Sequence, residues 1–179
     1  MVATQQLTAR DLWNLHDDVE DFELIEGVLL PMSPPGGVHA IVQLRLGSLL
    51  RWYADERQCG EVFGEAGFIL ATNPDTVLAP DLAFVETSRL PEDLTGFLKL
   101  APDLAVEIVS PGNSPGEIER KVAIYLQAGT RMIWVVYTRQ RQVVAHIPNE
   151  APRVFTESDE LPGGDVLPGL TLPVARIFG

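Results

Sequence analysis

Three residues carry the chemistry this chain could do: Asp81, Glu107 and Lys121. Asp81 follows Pro80 within the apolar run Val77-Leu78-Ala79-Pro80-Asp81-Leu82-Ala83-Phe84-Val85. Glu107 lies within a second run, Leu104-Ala105-Val106-Glu107-Ile108-Val109. A carboxylate in a buried strand is costly unless it is paired or binds a cation. Two carboxylates and a lysine form a set that can hold a divalent cation and act on phosphate. On the residues alone two readings stand level: a cation site, and a buried ion-pair triad serving as scaffold.

The elements that would position these residues follow from pattern. Leu104 to Val109 reads as a central strand, with Ala105, Glu107 and Val109 on one face. Ser114-Pro115-Gly116-Glu117 offers a Ser N-cap, Pro at N1 and Glu at N3, so a helix starts there and runs to Ala128 before Gly129. At about 100° per residue, Lys121 falls about 60° from Ile118, within the apolar arc that Val122, Tyr125 and Leu126 share, and Arg120 about 160° away. Lys121 should therefore face the sheet, with Glu107 and Asp81 as its partners, and Arg120 should face water.

Elsewhere, Thr8 to His16 reads as a helix capped by Thr8, and Phe22 to Pro31 as a hairpin turning at Glu26-Gly27. Ser33 to Gly37 is a loop. His39 to Gln58 is a long helix with apolar residues around most of its axis, so burial on nearly all sides is expected. Glu61 to Leu70 and Val77 to Val85 each read as one strand. Thr87 to Lys99 reads as a loop, Arg131 to Tyr137 and Gln142 to Ile147 as strands. The tail from Leu161 should cap the core through Leu170, Leu172 and Ile177.

The 179 residues, 46% hydrophobic, fit one domain over 1–179 with a real core. No membrane span or signal pattern is expected, and the single Cys59 forms no internal disulfide, so a cytoplasmic location is the default. The net charge of −12 argues against a nucleic-acid partner, but Arg120 to Asn149 holds five bases and no acid, a segment of +5 that could face phosphate.

Several stretches together resemble the PD-(D/E)XK nuclease superfamily, and within it the restriction-endonuclease family called the Uma-two type. They are Phe22-Glu23-Leu24-Ile25-Glu26-Gly27, Pro31 to Pro35 followed by His39, Pro80-Asp81, and Ala101 to Pro111. Glu119-Arg120-Lys121 with Tyr125 and Gly129, Ile133 to Val136, and Val166 to Leu170 complete the set. The resemblance spans nearly the whole chain, and it favours the cation site.

It implies an α/β (α+β mixed) fold: a mixed central sheet flanked by helices, with an N-terminal hairpin and C-terminal strands. It implies a hydrolase, an endonuclease using Mg²⁺ or Mn²⁺ on DNA, acting as a homodimer. Asp81, Glu107 and the backbone carbonyl of Ile108 would be the metal ligands. Lys121 would orient the nucleophile or neutralise developing charge. Glu23 is a further acidic member or an exposed strand carboxylate. His39 is catalytic, or anchors a loop or helix start. Glu65 is a weaker candidate. Glu26 reads as a turn residue and Asp103 as a strand-start cap.

Two residues depart from the pattern. Val109 stands where Glu-x-Lys would place the lysine, and the lysine of this family sits on the helix instead. Tyr137 stands where the family often has Asp. A catalytically silent binding module, and a hydrolase of RNA or another phosphodiester, therefore remain as alternatives.

Overall fold

The computed structural model describes residues 6–15, 22–32, 34–110 and 112–179. It opens with α1 (Ala9–Leu15), whose start is held by the Asp11 amide donating to Thr8 Oγ1 at 3.2 Å. The expected end at His16 lies outside the described residues. A hairpin follows, β1 (Phe22–Ile25) and β2 (Val28–Pro31). Its two-residue turn places Glu26 at φ 53° and Gly27 at φ 76°, the left-handed conformations such a turn needs.

Helix α2 (Gly37–Arg57) leads to β3 (Gly60–Gly64), β4 (Phe68–Ala71), β5 (Thr76–Leu78) and β6 (Leu82–Glu86). A 3₁₀ turn at Thr87–Arg89 precedes β7 (Leu104–Val109), α3 (Pro115–Ala128) and β8 (Met132–Tyr137). The chain ends through β9 (Gln142–His146), β10 (Arg153–Thr156), β11 (Glu160–Pro162), β12 (Thr171–Pro173) and α4 (Ala175–Phe178).

The central sheet runs β10-β9-β8-β7-β6-β3 and is mixed: β7 and β8 pair in parallel, joined across α3, and the other pairs are antiparallel. A second sheet, β2-β1-β5-β4, carries the hairpin, and β11 pairs with β12. Alternation along β7 sorts the core into two faces. Leu104, Val106 and Ile108 pack with Val42, Leu46 and Leu50 of α2 and with the C-terminal Leu170, Leu172 and Ile177. Ala105 packs on the other face with Ile118, Val122 and Tyr125 of α3.

Two expected strands prove to be four. The 61–70 stretch breaks where Glu65 adopts φ 54°, so β3 pairs with β6 in one sheet and β4 with β5 in the other. The 77–85 stretch breaks at Ala79-Pro80-Asp81. Proline has no N–H to donate to a ladder, and β5 and β6 diverge into different sheets there. Asp81 thus lies just before β6, at the joint.

Burial of α2 on nearly all sides is also overturned. One stripe, Val42, Leu46, Leu50 and Tyr53, is buried against the sheet, whereas Leu44 is 73% and Trp52 62% exposed. The helix meets the core along one side, and composition alone could not tell which apolar residues that side would take. Among the described residues no helix is long and apolar enough to cross a membrane.

Candidate active site

The site forms where the two sheets and both long helices meet. Helix α3 has a fixed register: Ser114 N donates to Glu117 Oε2 at 2.7 Å and Glu117 N to Ser114 Oγ at 3.3 Å, and Gly129 ends it at φ 98°. That register puts Lys121 and Tyr125, four apart, on the face above Glu107. Lys121 Nζ lies 3.0 Å from Glu107 Oε2 and 2.8 Å from Glu23 Oε1. Tyr125 donates its hydroxyl to Glu107 Oε1 at 2.8 Å. Arg120 turns outward to Glu26 at 3.1 Å.

Glu23 reaches the same point from the other sheet. It is buried in β1, and its Oε1 also accepts the Ala79 amide at 3.2 Å. Asp81 sits two residues further on. The β6–β7 ladder stops at the pair Leu82–Val106, and the Ile108 amide, past its end, donates to Asp81 Oδ2 at 2.5 Å. His39 Nε2 lies 3.0 Å from Asp81 Oδ1. Gln43 Nε2 donates to the Asp81 carbonyl at 2.9 Å and to Glu65 Oε1 at 3.1 Å.

Glu107, Glu23 and Lys121 are therefore one cluster, and Asp81 is tied to it through Ile108. Lys121 spends its two ion pairs on Glu107 and Glu23, so the expected Asp81–Lys121 partnership gives way to Glu23. Burial pushes the Glu107 carboxyl up to about 7; Lys121 opposes that, and Glu23 and Asp81 add to it. Burial acts against the charge on Lys121, yet Glu107 and Glu23 outweigh it and hold its pKa above the ordinary range. Burial, then Glu107 and Glu23, hold the Tyr125 phenol well above its ordinary value, so it remains a donor.

A family model described as "Putative restriction endonuclease", Uma2, matches residues 10–175. The chain belongs to the Uma2 family. A crystal structure titled a putative nuclease belonging to DUF820, from Anabaena variabilis ATCC 29413, matches with a TM-score of 0.85 and 24% identity, over 96% of this chain and 97% of that one. That likeness is one of fold. Comparison with curated proteins yields no match.

The two departures singled out from sequence meet: Val109 of β7 is in register with Tyr137 of β8. Most bases of the +5 segment are paired within the chain. Arg120 pairs with Glu26, Lys121 with Glu107 and Glu23, Arg131 with Glu86 and Asp103, and Arg141 with Glu157. Of its five bases only Arg139 lacks an ion pair among the described residues.

Asp103 exceeds a strand cap. It is fully buried, accepts the Glu86 amide at 2.9 Å and pairs with Arg89 at 2.5 Å and Arg131 at 3.3 Å. Two contributors to the site were not singled out from sequence. Tyr125 was readable as the i+4 neighbour of Lys121. Gln43 carried no signal beyond lying one turn after His39.

The donor set bears on metal. Among the described residues no three His, Cys, Asp or Glu side chains gather into a cage. Asp81 and Glu107 offer hard carboxylate oxygens from two adjacent segments, with no thiolate near. One or two carboxylates with several retained waters is the way Mg²⁺ is held, so these residues fit that ion class.

Proposed function

We propose that this protein is a hydrolase of phosphodiester bonds, an endonuclease that uses Mg²⁺ or Mn²⁺ and takes DNA as its substrate. The observation that carries the reading is the buried Glu107–Lys121–Glu23 cluster beside Asp81. Asp81 and Glu107 would hold the ion, with the Ile108 carbonyl as a third ligand. When bound, the ion would acidify a water and polarise a scissile phosphate.

The remaining roles belong to the chain. Lys121 presents an ammonium beside Glu107, where it orients the attacking water and offsets negative charge growing on the phosphate. Glu23 holds Lys121 against the site and ties it to Ala79, two residues before Asp81. Tyr125 fixes Glu107 Oε1, so the carboxylate keeps one orientation. Water attacks phosphorus, one P–O bond breaks, and the leaving oxygen ends protonated. Two copies working as a homodimer would cut both strands of a duplex.

A second reading has its own support. Four of the five bases between Arg120 and Asn149 are paired within the chain, and Tyr137 replaces an expected Asp. Both favour a nuclease fold that binds a partner without cutting.

Cleavage of supercoiled DNA, single-stranded DNA and RNA, with Mg²⁺ or Mn²⁺ and an EDTA control, tests these readings. Cation-dependent cutting lost in Asp81→Asn supports the nuclease and ranks its substrates. No cutting and no cation binding supports the silent module. Sedimentation velocity reads the oligomeric state directly.

A further inference from the structure

We propose that His39 is a positioning residue for Asp81, backed by Gln43 one helical turn later, so that the start of α2 belongs to the catalytic machinery. The inference rests on the nuclease reading for its consequence, but not for its geometry.

The chain has a specific need at this point. Segment 79–81 leaves the sheets, and Pro80 contributes no N–H. The ladder that would fix Asp81 as a strand residue is missing, and its placement falls to individual donors and acceptors. Glu23 holds the Ala79 amide, and the Ile108 amide holds Asp81 Oδ2. Everything else that fixes Asp81 comes from α2: His39 on Oδ1 and Gln43 on the carbonyl. His39 and Gln43 are four apart, so one face of the helix supplies both.

The contacts of His39 separate this role from anchoring a loop or helix start. Such an anchor would bond the imidazole to backbone groups near residues 34–38. Instead Nε2 goes to Asp81, and Nδ1 is buried with no hydrogen-bond partner among the described residues. The side chain is 8% exposed. An orphaned buried nitrogen is a standing cost that an apolar side chain of similar volume would not carry. A histidine there makes sense for the one bond it does form. Side chains that orient a metal ligand without touching the ion commonly change affinity by about 10–100-fold when removed.

The test uses the full chain without metal and with Mn²⁺, in His39→Leu and His39→Gln. Glutamine can place an N–H near the Nε2 position; leucine cannot. Two readouts are taken: the Ile108 amide proton shift in metal-free protein, which senses Asp81 Oδ2, and Mn²⁺ affinity by calorimetry. His39→Leu should move the Ile108 resonance upfield and weaken Mn²⁺ by about 10–100-fold, and His39→Gln should restore both to near wild type. An unmoved Ile108 amide with unchanged affinity in folded His39→Leu overturns the proposal. If wild type binds no Mn²⁺, the metal reading fails, and the Ile108 shift alone decides the positioning role. If His39→Leu does not fold, His39→Asn against His39→Gln decides: asparagine's N–H falls near Nδ1 and should not rescue. Equal behaviour of the two amides overturns the proposal.

Discussion

Val109 and Tyr137 stand opposite one another across the parallel β7–β8 pair. Val109 is two residues past Glu107, so its side chain leaves the strand on the same face. A lysine at 109 would approach Glu107 from the strand. In a Lys121→Met background, Val109→Lys should recover part of the lost thermal stability. In the wild-type background the same change should lower the melting temperature, because Lys121 already serves Glu107. Melting curves of the two single variants and the double variant give the coupling. Simple additivity would show that position 109 does not reach the cluster.

Removing Lys121 alone should be felt in stability before activity. Lys121→Met leaves Glu23 and Glu107 buried together without their cation, a change that typically costs about 3–5 kcal/mol. Denaturant titration reads it. On the proposed function, Mg²⁺ or Mn²⁺ should return part of that stability. A cation that stabilises neither this variant nor wild type would argue against the ion site.

The pH dependence of the metal-free protein has a definite sign. Glu107 is raised in the fold from 4.5 to about 7, so the native state binds the extra proton between those values. Its contribution to stability is fully present below 4.5 and is lost as pH rises through about 7. Wild type should therefore lose melting temperature across that window, and Glu107→Gln, which cannot titrate, should show a flatter profile. Equal slopes would mean that Glu107 is ionised in the fold throughout.

Tyr125→Phe removes the donor from Glu107 Oε1 and leaves a buried acceptor unmatched. A loss of about 1–3 kcal/mol is expected. Without that hydrogen bond, Glu107 should hold its proton to higher pH, because the bond favours the charged form. Carboxyl-labelled NMR titration of Glu107 in both proteins reads the change directly.

Asp103 serves as a contrast. It lies just before β7, four residues ahead of Glu107 and about 13 Å away at ~3.3 Å per residue, and it binds Arg89, Arg131 and the Glu86 amide. Asp103→Leu leaves the Glu86 amide without its acceptor and the part-exposed Arg89 without its carboxylate, while Arg131 keeps Glu86, so a loss of about 1–3 kcal/mol is expected. Mn²⁺ affinity of the folded fraction should match wild type. Lost affinity would tie this network to the site.

Much of this was legible in sequence because local signals were strong. The capping box fixed the phase of α3, so the orientation of Lys121 followed from arithmetic on the helix. The apolar run around Glu107 announced a central strand. What escaped was long-range. Pro80 was a local sign of a break, but nothing local reveals that the two apolar, buried halves join different sheets. Glu23 could equally have faced water, since a four-residue strand has no periodicity to choose its side. The arginines of the acid-free segment looked available because their partners, Glu26, Glu86 and Glu157, lie far away in the chain.

The break at Ala79-Pro80-Asp81 also makes the active centre a sensor of assembly. Glu23 belongs to the hairpin sheet, Glu107 to the central sheet, and Asp81 to the hinge between them. A molecule whose hairpin sheet has detached would keep its six-stranded sheet, both long helices and most of its circular dichroism. It would nonetheless have lost the acid that steadies Lys121 and the anchor at Ala79. On the proposed function, activity would then depend on the hairpin sheet as well as on the core, and inactivation on heating should run ahead of global melting.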